Sequence, residues 1–214
     1  MCSSDLIGQN VLGMLLAVLM RHCARPISSL VGGLVVVAWT LPEIVAAFAC
    51  YAFFASEGTL NSMLALVGLE GPKWLLAFPM LSVILANVWR GTAFSMMQYH
   101  AALSDVPPEI KESAQIDGAS ALQSFLRITL PMIRRSIATN LMLTTLQTLG
   151  VFTLIWVMTG GGPGTASSTL PVLAYQEAFK FSQVGYGTAI ATVTLLVGAL
   201  FSIIYMRILK PEVD

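Results

Sequence analysis

Five long apolar runs, at about 6–20, 28–54, 76–100, 136–158 and 186–207, leave this chain almost nowhere to fold except within a bilayer. A helix needs about 20 apolar residues to cross a hydrocarbon layer of ~30 Å, and every run but the first reaches that length. The chain is 56% hydrophobic and 10% charged, with a mean hydropathy of +0.79. No soluble domain needs that much apolar surface. The expectation is an all-α, polytopic membrane helix bundle forming one domain over 7–214, with five spans of which the first is partial. Residues 1–6, MCSSDL, resemble the translated end of a sequencing adapter, so they are read as a non-native leader. A short natural N-terminus is the alternative.

Basic residues orient the bundle. If the connection at 21–27 lies in the cytoplasm, so do 101–135 and the tail from about 207. Arg21, Arg25, Lys111, Arg127, Arg134, Arg135, Arg207 and Lys210 then lie inside, eight of the eleven basic residues. Lys73 and Lys180 lie outside and Arg90 falls within a span. This satisfies the positive-inside rule, and the reverse orientation violates it.

The polar segment 104–136 is too long for a turn and carries helix signals of its own. Pro107-Pro108 suits a helix start, because a first-turn proline forfeits an amide that has no partner anyway. A short helix over 110–117 follows, closed by Gly118 in a left-handed conformation. A second, over 119–127, is expected to put Leu122, Phe125 and Leu126 on one face and to end at Pro131. Within it, Glu112-Ser113-Ala114, then three residues, Gly118, nine residues, Ile128, one residue and Leu130-Pro131 resembles the cytoplasmic EAA loop of ABC-importer permeases. Ser113 stands where that family usually has alanine, and Asp117-Gly118-Ala119 fits the family's D-G-A core.

The resemblance runs from about residue 11 to 210 and implies a type I ABC-importer permease core. By it, the loop 101–135 is the element that docks on an ATPase. Glu112 would pair with a basic residue there, while Ala114, Ala119 and Leu122 supply small or apolar contacts. Near the outer end of the fourth run, Gly160, Gly161, Gly162, Pro163 and Gly164, followed by TL-x-x-x-A-Y-x-E-A-F, resemble the carbohydrate importers on the side of the larger maltose-type permease subunit. That run lies where backbone can be wetted, and a short interfacial helix over 170–181 is expected after it. The resemblance further implies a dimer of ATP-binding subunits, a second homologous permease, an extracytoplasmic solute-binding protein that meets the glycine run, and a bacterial or archaeal cytoplasmic membrane. No Walker motif is present, so ATP and magnesium are assigned to the partner ATPase and no cofactor to this chain.

Polar residues inside spans are costly and mark candidate sites. Asn87, Arg90, Gly91 and Phe94 share one helical face of the third run, and Thr144, Gln147, Thr148 and Val151 repeat that spacing on the fourth. By offset from the flanking motifs, these positions resemble those where maltose-type permeases meet sugar. Amides, a hydroxyl and an aromatic face suit a sugar, though Arg90, Thr148 and Val151 depart from the maltose pattern. The alternative is interhelical hydrogen bonding that holds the bundle together. Glu43, read as the one acidic residue in any span, lies at a depth similar to Arg90 and is expected to pair with it, beside a kink at Pro42.

Chemistry finds little footing. His22 and His100 lie at membrane edges, Cys2, Cys23 and Cys50 lack metal-ligand spacing, and no nucleophile elbow or paired intramembrane carboxylates occur. The sequence therefore reads as a permease subunit, not an enzyme and without a metal site. A secondary transporter or channel with no ATPase is the alternative.

Overall fold

The computed structural model describes residues 2–209, and all its regular structure is helical. Helix α1 spans Cys2–His22, α2 Arg25–Thr40, α3 Glu43–Phe54, α4 Thr59–Leu66, α5 Trp74–Ala77 and α6 Pro79–Ser104. The loop carries α7 (Pro108–Ile116), α8 (Ala121–Ser124) and α9 (Leu130–Met132). After it come α10 (Arg134–Leu149), α11 (Thr153–Met158), α12 (Leu170–Tyr175) and α13 (Val184–Leu209). Among the described residues, Ser3–His22, Glu43–Leu66 and Val184–Arg207 are long and apolar enough to cross a membrane. Helix α6, at 26 residues, is also long enough but carries polar groups at mid-length.

Three of the drawn spans change shape. The first helix starts at Cys2, so its 21 residues extend about 31 Å, longer than the apolar run implied. The second run is two helices: Leu41 and Pro42 are extended, with ψ of 134° and 139°. Proline disfavours helical geometry in the residue before it, which turns the expected kink into a full break. The fourth run is also interrupted, between the end of α10 at Leu149 and the start of α11 at Thr153. Broken backbone survives at such depth only where a cavity or other protein satisfies it.

Two apolar clusters stack along α6. One joins Ala47, Cys50 and Phe54 of α3 to Val83 and Ala86 of α6 and Leu154, Ile155 and Met158 of α11. The other, toward the loop end, joins Ala17 and Met20 of α1 to Met96, Tyr99 and Leu103 of α6, with Val106 and Ile133. Helix α1 lies along α6 closely enough that a Cβ on Gly13 would stand 2.5 Å from Ser95 Cβ and 2.9 Å from the Met96 amide nitrogen. Glycine is therefore a steric requirement there.

Between the clusters lies a hydrogen-bonded knot. The Asn140 amide donates to Asn10 Oδ1 at 2.8 Å and to Ser95 Oγ at 3.0 Å. Tyr99 hydroxyl also donates to Asn10 Oδ1, and the Asn10 amide reaches Thr144 Oγ1 at 3.4 Å. It ties α1, α6 and α10 together in a setting where an unpaired polar group is expensive. Helix α13 packs on the outside against α10 and α12, its Leu195, Leu196 and Leu200 exposed, with Tyr205 hydroxyl 3.4 Å from Thr145 Oγ1.

Candidate functional site

A cavity of about 260 Å³ lies between the two apolar clusters, lined by Gln9, Trp39, Glu43, Asn87, Arg90, Gly91, Gln147, Thr148, Gly150 and Val151. Both helix breaks open onto it: Trp39 and Glu43 flank the break at 41–42, and Gly150 and Val151 occupy the one between α10 and α11. Breaking a helix exposes backbone that a packed apolar core cannot satisfy, so the breaks and the cavity share one cause.

Arg90 Nη1 lies 3.5 Å from Glu43 Oε2, which is the expected pair. Both side chains are partly exposed, 22% and 33%, so the pair borders open space and is not sealed in apolar packing. The guanidinium also stands 5.6 Å from the centre of the Trp39 ring, a cation–π distance, and Phe94 backs Trp39 at 5.0 Å. Asn87 donates from Nδ2 to Asp5 Oδ2 at 3.1 Å.

Six residues singled out on the third and fourth runs, Asn87, Arg90, Gly91, Gln147, Thr148 and Val151, do line one space. Phe94 and Thr144 do not. Phe94 turns toward Trp39, and Thr144 is fully buried, its hydroxyl donating to the Asn140 carbonyl at 2.8 Å. Four-residue spacing defines a helical stripe, but a stripe crossing several layers of a bundle changes neighbours along its length.

Glu43 is not the one acidic residue in a span, because Asp5 is fully buried in α1 against Asn87. Asp5 falls within the six residues read as a leader, and with Gln9 and Gly13 it forms a face at four-residue spacing, the one sequence signal that points to Gln9. Trp39 gave no such signal, since the break at 41–42 destroys the helical register between it and Glu43.

At the loop end, α7 closes as a Schellman motif. The Ala119 amide donates to the Ala114 carbonyl at 2.9 Å and Gly118 to Gln115 at 3.1 Å, with Gly118 at φ +78°. Ser120 then opens α8 through a reciprocal capping box with Gln123, at 2.9 and 3.3 Å. The second loop helix differs from expectation at its far end. Pro131 does not end it. The Leu130 amide reaches back to the Phe125 carbonyl, a π-type turn over Phe125–Thr129 that lets the chain run through the proline to Met132. The wider turn relieves the clash between the proline ring and the carbonyl four residues earlier.

The loop's faces also differ from the pattern. Phe125 packs against the loop-end core, whereas Leu122 and Leu126 point outward with Ile116 and Met132. Glu112, Ser113, Asp117 and Gly118 are exposed, Ala119, Ile128 and Leu130 are half-buried, and Ala114 is buried within the loop. Ala114 therefore offers no outward contact in this arrangement. Its small side chain lets α7 close against α8 within the loop.

At the opposite end, the glycine run is folded upon itself. Gln176 Nε2 donates to the Gly160 carbonyl at 2.9 Å, Ser167 Oγ to Gly162 at 2.8 Å, and Ser167 N to Gly161 at 3.1 Å. Gly161 is buried and Gly160 and Gly162 half-buried, so Pro163 and Gly164 alone of the five are exposed. Helix α12 continues through a π turn over Gln176–Lys180, and Phe179 and Phe181 stand exposed as expected of an interfacial element. Among the described residues, no group of three His, Cys, Asp or Glu side chains is placed to hold a metal.

Residues 9–214 match the family described as the binding-protein-dependent transport system inner membrane component, and the chain belongs to it. Its fold is the type I permease fold, a multi-pass inner-membrane bundle. It is 33% identical to the sulfoquinovosyl glycerol transport system permease of Agrobacterium fabrum over 181 residues, 81% of this chain and 58% of that one. It is 30% identical to the trehalose/maltose transport system permease of Thermococcus litoralis over 205 residues, 94% of this chain and 68% of that one. The chain thus spans about three fifths to two thirds of these relatives' length. Among solved structures, a bacterial alginate ABC transporter, in complex with a periplasmic protein bound to alginate pentasaccharide, contains a chain that superposes with a TM-score of 0.81 at 25% identity. The match covers 97% of this chain and 77% of that one.

Proposed function

We propose that this chain is a permease subunit of an ATP-driven importer and forms half of the translocation path for a sugar or sugar-derived solute. The observation that carries the reading is the pairing, on one chain, of an amide-lined cavity at two helix breaks with an exposed two-helix loop. In this reading the loop 101–135 faces the cytoplasm and seats against an ATP-binding subunit through Ile116, Leu122 and Leu126, with Glu112 and Asp117 as charged neighbours. ATP and magnesium reside on that partner. A second, homologous permease completes the path, and an extracytoplasmic binding protein delivers solute at Pro163 and Gly164.

Sugar is favoured by the donor set. Gln9, Asn87 and Gln147 offer amides and Thr148 a hydroxyl, which pair with hydroxyls without demanding charge. The relatives named for sulfoquinovosyl glycerol and for trehalose and maltose, and the solved transporter of the acidic polysaccharide alginate, support a sugar without fixing its charge. The test is reconstitution with the co-encoded subunits and purified binding proteins. One sugar-loaded binding protein should stimulate ATP hydrolysis and uptake, and this chain alone should be inert. Uptake by this chain without an ATPase would refute the proposal.

A further inference from the structure

We infer that Glu43 is a charge filter on this cavity: it restricts the solute to uncharged rings and excludes sugars that carry a carboxylate. The inference rests on the cavity being the solute site, and it assigns a role to residues of the second span, Trp39 and Glu43.

Three observations bring it about. First, the charged groups of the lining are one carboxylate and one guanidinium joined at 3.5 Å, and the carboxyl of Asp5 stands directly behind Asn87, so no cation faces the cavity without a carboxyl beside it. Second, Arg90 is held from two sides, by Glu43 and by the Trp39 ring at 5.6 Å, and Trp39 is itself backed by Phe94. A guanidinium held this way is poorly placed to leave its partner for an incoming anion. Arg90 Nε has no hydrogen-bond partner and is sealed from the cavity, so it adds no anion receptor. Third, Glu43 is the more exposed member, at 33%, so its carboxylate borders the space the solute would occupy.

An ionised carboxylate only accepts hydrogen bonds. A sugar hydroxyl donates to it readily, whereas a solute carboxylate meets like charge. An anion that approaches the open side of Arg90 still meets the Glu43 carboxylate 3.5 Å from that guanidinium, and the like charge offsets the attraction. Specificity of this kind comes from a repulsive element built against the competitor, and Glu43 is that element. Trp39 and Phe94 act through Arg90, as positioning residues.

The experiment compares matched probes: methyl glycosides of gluco, galacto and manno configuration, each with its uronic acid counterpart. The members of a pair differ only in a hydroxymethyl or a carboxylate. Equilibrium binding is measured by calorimetry on the intact complex of this chain, its second permease and its ATPase in nanodiscs. Wild type should bind one neutral glycoside at least about tenfold tighter than its uronide. Glu43→Gln should shrink that ratio about tenfold or more through tighter uronide binding, and Glu43→Asp should keep most of it. A merely structural role would weaken both probes alike. Equal affinities in wild type, or a ratio unmoved by Glu43→Gln, would overturn the inference and leave the cavity a solute site. Binding of no probe by a wild-type complex with intact ATPase activity would instead remove the solute-site reading, and the inference with it.

Discussion

Gly118 is where a single side chain tests the loop's geometry most cleanly. It sits at φ +78° as the residue that closes the Schellman turn of α7, and a Cβ built on it meets nothing within 4 Å. Any substitution there is therefore penalised by backbone torsion alone, not by a clash within the chain. Alanine in the left-handed region costs roughly 1–2 kcal/mol, asparagine much less, and a β-branched residue more than alanine. If α7 and α8 must keep this angle to seat on the ATPase, alanine should weaken the association roughly five- to thirtyfold. Valine should weaken it further, and asparagine should stay near wild type. The assay is co-purification of the ATPase with each variant from membranes, together with sugar-stimulated hydrolysis by the reconstituted complex. The graded order Gly, Asn, Ala, Val is the signature of torsion. Asparagine behaving as badly as valine would point to a side-chain clash with the partner and refute the torsional argument. All variants at wild-type level would show that this turn does not set the coupling.

Other consequences test the bundle and the cavity. Asn140→Leu removes two bonds of the knot, to Asn10 and Ser95, and should destabilise the subunit by about 1–3 kcal/mol. Thermal unfolding of the purified complex reads that loss, and an unchanged midpoint would contradict it. Gly13→Val should prevent α1 from seating on α6 and deplete folded subunit in the membrane. Gly33→Val, whose Cβ meets nothing within 4 Å, should accumulate normally. Gln147→Ala should lower sugar uptake about tenfold, the worth of one lost hydrogen bond, with assembly intact. Phe94→Ala, acting only through Trp39, should reduce uptake less than Gln147→Ala does, and the reverse order would show that Phe94 meets solute directly.

Much of this protein was legible in its residues because membrane folding leaves few choices. Apolar runs of bilayer length, the distribution of arginine and lysine, and the spacing from Glu112 to Pro131 fixed the all-helical class and the family. The pairing of Arg90 with Glu43 followed from depth and the cost of a lone intramembrane charge. Local chemistry was equally readable at Gly118, since few residues other than glycine rest at that φ.

What the linear pattern did not hold was which neighbour each residue would meet. Pro42 announced a kink, but whether the helix bends or breaks depends on a cavity being there to satisfy the freed backbone. Phe125 and Leu122 look alike in a helical projection, yet only Phe125 meets the loop-end core, because the way the loop lies on the bundle decides which of the two is covered. Phe94 and Thr144 share a stripe with true cavity residues, but the stripe passes into a different packing layer. Trp39 and Gln9 reach the cavity from helices whose register to Arg90 no sequence spacing encodes. Composition and local backbone preference are properties of the chain at each point, so the sequence decides them alone. Contacts between helices depend on closest approach across breaks and glycine seams, and only the packed bundle decides those.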